Sequence, residues 1–348
     1  MKTKQFKVRI IYKSIIAVLG LLVLTDFLLH LEPVRHRLPQ ASPYYNPAVE
    51  LRLRALKTFL KELGQPDMLF IGSSVVRTNF SPLEFDSVFH KISGQKIISF
   101  NGGLSDLDPG PVAFYLEKFW LTSCQPKIIL QAVRYEELLS HYSAENYPVF
   151  QTSIYEPLWL ENNLNSRIRL FLLDHVNLYY YSGAMTEFLR YPRLPINRPL
   201  TYIIDSRGHN PMKIGMVEAK ESGLLTGDFT YYDDIPDSVM QLNLNALKRS
   251  HALCQQHGIK YLLVNMPEHG DRFMADPDGL KRYRDYITIL QQFAEELNIE
   301  FIDITNNDPQ TYQKDELFSD YYHMSPKGTS QFTKSLARYC TELFGNEF

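Results

Sequence analysis

Asp67-Met68-Leu69-Phe70-Ile71-Gly72-Ser73-Ser74 is a short apolar run that ends in a glycine and two serines. An unbroken apolar stretch of this length reads as a strand buried on both faces. The glycine permits a tight turn into a following helix and leaves a hydroxyl at the strand's C-terminal edge. Four further runs of the same kind occupy residues 96–100, 126–133, 259–265 and 299–304. Helical patterns stand between them at 82–89, 109–121, 239–257 and 280–297, and another closes the chain at 326–344; Gly258 supplies a C-terminal stop. Buried strands alternating with helices mean an α/β three-layer sandwich around a five-stranded parallel sheet. The expected strand order is the flavodoxin-like 2-1-3-4-5, which puts a site beyond the strand C-termini.

Residues 136–237 break this rhythm. They are rich in Tyr, Asn, Pro and Arg, with Tyr179-Tyr180-Tyr181 and Tyr231-Tyr232 as local clusters. They read as one large, partly helical insertion after the third strand, serving either substrate recognition or surface packing near a membrane.

The N-terminus has another character. Residues 14–31 are dominated by Ile, Leu, Val and Phe and follow Lys2, Lys4, Lys7, Arg9 and Lys13. A bilayer core needs about 20 helical residues, so an N-terminal transmembrane helix is expected. The positive-inside bias puts 1–13 in the cytoplasm, 14–31 in the membrane, and both the 32–65 tether with its first helix (49–63) and the 66–348 domain on the periplasmic or extracellular side. Asp26, near the outer end, is expected to reach headgroups and water. A cleaved signal peptide is the rival reading, but no clean small-x-small site follows the apolar run. Without the five leading cations, 31 Lys and Arg face 39 Asp and Glu, a net of −8 with no basic run. That excludes nucleic acid as the expected partner. Cys124, Cys254 and Cys340 are widely spaced and read as buried free thiols, not a disulfide framework or metal set.

The chemistry-bearing residues lie at opposite ends of the core. Phe318-Ser319-Asp320-Tyr321-Tyr322-His323-Met324-Ser325-Pro326 places an Asp three residues before a His at a helix entrance. Alone it reads as a surface turn, and Gly72-Ser73-Ser74 alone as a turn or helix cap. Together they supply a serine hydroxyl, a His base at 323 and a carboxylate at 320 to orient it, the requirements of serine acyl transfer. Asn101-Gly102-Gly103 follows the second strand, where glycine lets backbone N–H groups approach a tetrahedral oxyanion. After the fourth strand, His269 and Asp271 are candidates for substrate or metal. Two ligands without a third favour a solvated loop, and no metal or cofactor is expected.

With these blocks in this order, the chain resembles the SGNH/GDSL hydrolase superfamily over about 66–135 and 237–344. Phe70-Ile71-Gly72-Ser73-Ser74 matches the first block, with Ser74 as nucleophile and Ser73 in place of the usual Asp. Asn101-Gly102-Gly103 matches the second, with Gly103 as oxyanion donor, and Asp320-Tyr321-Tyr322-His323 the last. The third block departs: Gln131-Ala132-Val133-Arg134-Tyr135 lacks the family's Asn donor, for which Arg134, Asn265 and Arg77 are candidate replacements. Ser73, Asn101 and His269 complete the expected substrate contacts. Membrane-tethered members acting on cell-envelope polymers, the alginate O-acetylation and teichoic acid D-alanyl transfer proteins, look most similar. The resemblance implies an esterase or O-acyltransferase, an acylated polysaccharide or acyl donor as ligand, and a membrane-bound acyltransferase as partner. The alternative is a non-catalytic scaffold or polysaccharide-binding module on the same fold.

Overall fold

The structure, a computed structural model, describes residues 2–31, 47–105, 107–139, 168, 171–172, 175–179, 204–213, 215–216, 237–274, 277–306, 309–312, 314–345 and 348. By compactness the chain divides into two units, 1–50 with 152–200 and 51–151 with 201–348. In the first unit, helix α1 (Lys2–His30) contains the span Tyr12–Leu29, long and apolar enough to cross a membrane at a mean hydropathy of 1.9. Asp26 Oδ1 accepts the Leu178 N–H at 2.7 Å.

The second unit begins within helix α2 (Pro47–Leu63) and holds a parallel sheet of β1 (Met68–Ile71), β2 (Ser99–Asn101), β3 (Ile128–Val133), β4 (Lys260–Asn265) and β5 (Glu300–Asp303). Its order is 2-1-3-4-5, as the sequence predicts. All four pairings are parallel, with Met68 opposite both Ser99 and Ile128. β2 starts three residues later than expected. The Ile98 amide donates to the Asp67 carboxylate and the Ile98 carbonyl accepts the Asp67 amide, so a side chain and a turn take the place of the first rungs.

Between the strands run α3 (Ser74–Asn79), α4 (Pro82–Ser93), α5 (Pro109–Tyr115), α6 (Tyr135–Leu139), α7 (Asp237–Gln256), α8 (Asp271–Met274) and α9 (Gly279–Leu297), and α10 (Pro326–Phe344) follows the last strand. α5 continues through a π-helical turn, Leu116–Trp120, into Leu121–Ser123. One core layer joins Met68, Phe70, Leu130 and Leu262 to Phe80, Phe85 and Phe89 and to Phe332, Leu336 and Cys340 of α10. The other packs Val133 and Leu263 on Tyr283, Tyr286, Ile287 and Leu290 of α9. Burial of such side chains is worth about 1.5–3 kcal/mol each, the main force holding both layers to the sheet. Most of the 136–237 insertion lies outside the described residues. Its returning stretch, 204–213, lies along β2 and α3: the Arg207 carbonyl accepts the Asn101 amide, and Asn210 N–H donates to the Arg77 carbonyl. The three cysteines are buried and unbridged.

Candidate active site

β1 ends at Ile71, and the chain turns at Gly72 with φ of +150°. A Cβ there would lie 2.6 Å from Val76 Cγ2 and 2.9 Å from the Ala132 carbonyl, so the turn admits only glycine. Ser73 caps α3, its Oγ accepting the Val75 amide at 3.3 Å. Ser74 is then the first helical residue, where the N–H has no carbonyl partner within the helix. The helix N-terminus also favours negative charge at this point.

Ser74 Oγ lies 2.8 Å from His323 Nε2, and His323 Nδ1 lies 2.7 Å from Asp320 Oδ2. A ring whose Nδ1–H donates to the carboxylate leaves its Nε2 lone pair for the Ser74 hydroxyl proton. Asp320 Oδ1 accepts two further amides, from Tyr322 at 2.9 Å and His323 at 2.7 Å. Burial pushes the Asp320 carboxyl upward, but hydrogen bonds and charge from His323, with these amides, leave it below the ordinary range. Asn79, at the far end of the nucleophile's own helix, clasps the loop on both sides of His323. Its Nδ2 donates to the Tyr322 carbonyl at 2.9 Å, and its Oδ1 accepts the Met324 amide at 2.8 Å. Nothing in the sequence singles Asn79 out, because its partners lie more than 240 residues away.

The glycine loop after β2 is packed as tightly as the motif suggests. A Cβ on Gly103 would meet Arg77 N at 2.4 Å. The Gly103 N–H, expected to face an oxyanion, donates to Asn101 Oδ1 at 3.0 Å, and its carbonyl accepts Arg52 Nε at 2.6 Å. Asn101 is a brace and not a substrate contact. Fully buried, it also donates through Nδ2 to the carbonyls of Val76 at 2.7 Å and Phe80 at 2.8 Å.

Ser73 Oγ donates to Glu137 Oε1, at the edge of a buried ionic network. Arg134 donates through Nε to Glu137 at 2.9 Å and through Nη1 to Glu136 at 2.6 Å. Arg272 bridges Glu268, at 2.5 Å, and Glu136. Both guanidinium carbons lie over the Tyr322 ring, at 4.4 and 4.8 Å, so the network abuts the residue preceding His323. Two arginines face three carboxylates here. Glu136, held by both cations, is lowered despite its burial. Burial raises the other two carboxyls, Glu268 and Glu137, the latter to about 7 against the opposing charge of Arg134 and its hydrogen bonds.

The other candidates sort by where their polar atoms go. Asn265 is withdrawn from the site, since its Nδ2 donates to Tyr283 Oη at 2.8 Å and Asp303 Oδ1 at 2.9 Å, and its Oδ1 accepts from Tyr286. It sits on an inward face of β4, where a buried amide must find internal partners. Arg77 Nη1 donates to Ser105 Oγ at 2.6 Å, beside the glycine loop. His269, expected on a solvated loop, is wholly buried: Nε2 lies 3.0 Å from Asp315 Oδ1, and Nδ1 accepts the Asp271 amide at 3.3 Å. His269, Asp271 and Asp315 put ligand-type atoms within 4.8 Å of one another, but the two ring nitrogens face different carboxylates and do not converge on one point. The His269 amide donates to the Tyr321 carbonyl, which makes this pair a second brace on the Asp320–His323 loop.

One protein-family model matches residues 235–345. No curated protein matches the chain. Among solved structures, the chain is similar to a lipolytic protein of the G-D-S-L family from Desulfitobacterium hafniense DCB-2, at 12% identity and a TM-score of 0.38, over 78% of this chain and 97% of that one. It is also similar to BT4096, a gut microbial diltiazem-metabolizing enzyme, at 9% identity and a TM-score of 0.35, over 79% of this chain and 46% of that one. At these TM-scores neither likeness assigns chemistry, which rests on the side chains themselves.

Proposed function

We propose that the protein is a membrane-anchored serine esterase or O-acyltransferase of the SGNH type, acting on ester-linked acyl groups, O-acetyl first among them, of a cell-envelope or exported polysaccharide. The observation that carries the chemistry is the unbroken line from Ser74 Oγ through His323 to Asp320. Ser74 Oγ attacks the acyl carbonyl while its proton passes to His323 Nε2. Asp320 holds Nδ1–H and balances the imidazolium that forms. The Ser74 N–H at the start of α3 supports the oxyanion, joined by Gly103 N–H once it is shared with or released from Asn101. Collapse expels the alcohol oxygen, which takes the proton from Nε2 and leaves an acyl-Ser74 ester. Water or a sugar hydroxyl then attacks that ester by the reverse path.

Arg134 is the replacement we favour for the third-block Asn. Asn265 is committed to the core, whereas Arg134 Nε and Nη1 are held by Glu137 and Glu136, and no described residue takes its Nη2. The envelope target rests on α1 and on the family resemblance. A non-catalytic scaffold is favoured by a different observation, the engagement of Gly103 N–H within its own loop. A fluorophosphonate probe separates the two readings. Stoichiometric labelling of the wild type, absent in Ser74→Ala, is expected of the enzyme; labelling of neither, together with no turnover of p-nitrophenyl acetate, supports the scaffold.

A further inference from the structure

The described residues between 168 and 179 belong to the same compact unit as α1. Ile168, Phe171, Leu172, His175 and residues 177–179 are helical. The Val176 and Tyr179 amides close turns onto the carbonyls of Leu172 at 2.9 Å and Val176 at 3.0 Å. Ile168, Phe171, His175 and Tyr179 are exposed and recur at intervals of three or four, whereas Leu172, Val176, Asn177 and Leu178 are half-buried. That alternation is one helical face turned outward. Phe171 is 58% exposed and Ile168 48%. The Phe171 and His175 rings stack at 4.4 Å, and His175 Nδ1 donates to the Phe171 carbonyl at 3.0 Å, so both lie on that face.

Single exposed apolar side chains are ordinary on any soluble surface. These differ in the level at which they stand. The Leu178 amide donates to Asp26 Oδ1 at 2.7 Å, which pins the stretch to α1. Asp26 lies three residues inside the end of the span at Leu29, about 4.5 Å along the axis at 1.5 Å per residue. α1 is exposed over 12–24 and gains cover at Thr25, Asp26 and Leu29, the end where Leu178 meets it. A carboxylate at that depth marks the boundary between acyl chains and headgroups. An outward face carrying Phe171 and Ile168, hung from that boundary, matches a helix lying in the interface. In sequence the stretch has Arg167 and Arg169 at its start and Tyr179-Tyr180-Tyr181 at its end, residue types that favour headgroup level.

We propose that residues 168–179 form a second membrane contact, an interfacial helix whose Ile168–Phe171 face sinks into the lipid beside the outer end of α1. The inference rests on the anchor reading of α1, which sets the level, and is independent of the chemistry at Ser74. The occupant of the face is the bilayer itself, because the same hydrogen bond that orders the stretch holds it at the edge of the span.

The test is brominated-lipid quenching. The full chain carrying Phe171→Cys is labelled with a nitrobenzoxadiazole maleimide and reconstituted in vesicles of phosphatidylcholine and phosphatidylglycerol. The wild type, whose three cysteines are buried, is the labelling control. Lipid brominated just below the headgroups should remove roughly half the emission and lipid brominated at the chain ends much less, as for a face sunk about 5–10 Å into the boundary. If Phe171→Cys fails to reconstitute, Ile168→Cys takes its place with the same expected quenching. Emission open to aqueous iodide and indifferent to either lipid overturns the proposal. So does emission shielded from iodide yet indifferent to both lipids, which means that protein, this chain or a second copy, covers the face. Carbonate extraction of the same vesicles separates the two readings. Retention without quenching overturns the lipid contact alone, and quenching in a protein that carbonate then releases removes the anchor alone.

Discussion

At the scale of single residues, the site depends on side chains whose partners come from distant parts of the chain. Asp320→Asn would present an amide to His323 Nδ1 and favour the wrong tautomer. A fall in kcat of about 10⁴ is expected if the triad operates, with little change in KM. The same carboxylate has its folded pKa lowered. It therefore contributes stability above the unfolded value of about 3.9, lost as pH falls through the folded value, and Asp320→Asn should remove that acid-limb dependence in chemical denaturation. Glu137 has the opposite sign. Its folded pKa of about 7, against an ordinary 4.5, means the native state binds more protons between those pH values, so stability falls as pH rises through that window. The decline from this group is on the order of 3 kcal/mol, and Glu137→Gln should flatten it in urea unfolding measured from pH 4.5 to 8. Asn79→Ala would strip the Tyr322 carbonyl and the Met324 amide of their partner at once. Destabilisation of about 2–5 kcal/mol is expected, with Asn79→Asp intermediate because it keeps the acceptor for Met324. Equal stability of all three proteins would mean that the loop is held by other contacts.

At the scale of elements, α3 organises the site: Ser74 opens it, Asn79 closes it, and the glycine loop packs on its backbone. The same packing makes Gly103→Ala informative, because the new Cβ would meet a backbone nitrogen at 2.4 Å and no flexible side chain could yield. The loop has to move, so probe labelling at Ser74 should drop at least tenfold while the far-UV circular dichroism stays that of the wild type. Unchanged labelling would show that the loop's position does not matter to the nucleophile. The strands and the closing helix α10 follow closely from their apolar patterns. β2 was less legible, because its first rungs are replaced by the Asp67 carboxylate, a contact between residues 31 apart.

At the scale of the whole molecule, the proposed anchor makes a prediction of its own. Placing Arg at both Leu21 and Leu22, mid-span in α1, adds about 2.5–3.5 kcal/mol each to membrane insertion. The variant should move from the membrane pellet to the carbonate-soluble fraction. Retention in the pellet would remove α1 as the anchor.

What the sequence determined by itself is the alternation of buried strands and amphipathic helices, hence the sheet and its order, and the triad candidates at its functional edge. Those features are written in local spacing: apolar runs, a glycine turn, and an Asp three residues from a His. Only the tertiary structure decided what each polar side chain does. It turned Asn101 and Asn265 into braces, buried His269 against Asp315, and drew Asn79, Glu137 and Arg272 to the site from positions with no motif. It also left the Arg52 amino groups buried without a partner. The reason is physical: apolar burial depends on the type of residue and its local period, whereas a hydrogen bond or ion pair depends on which distant groups the finished fold brings within about 3 Å.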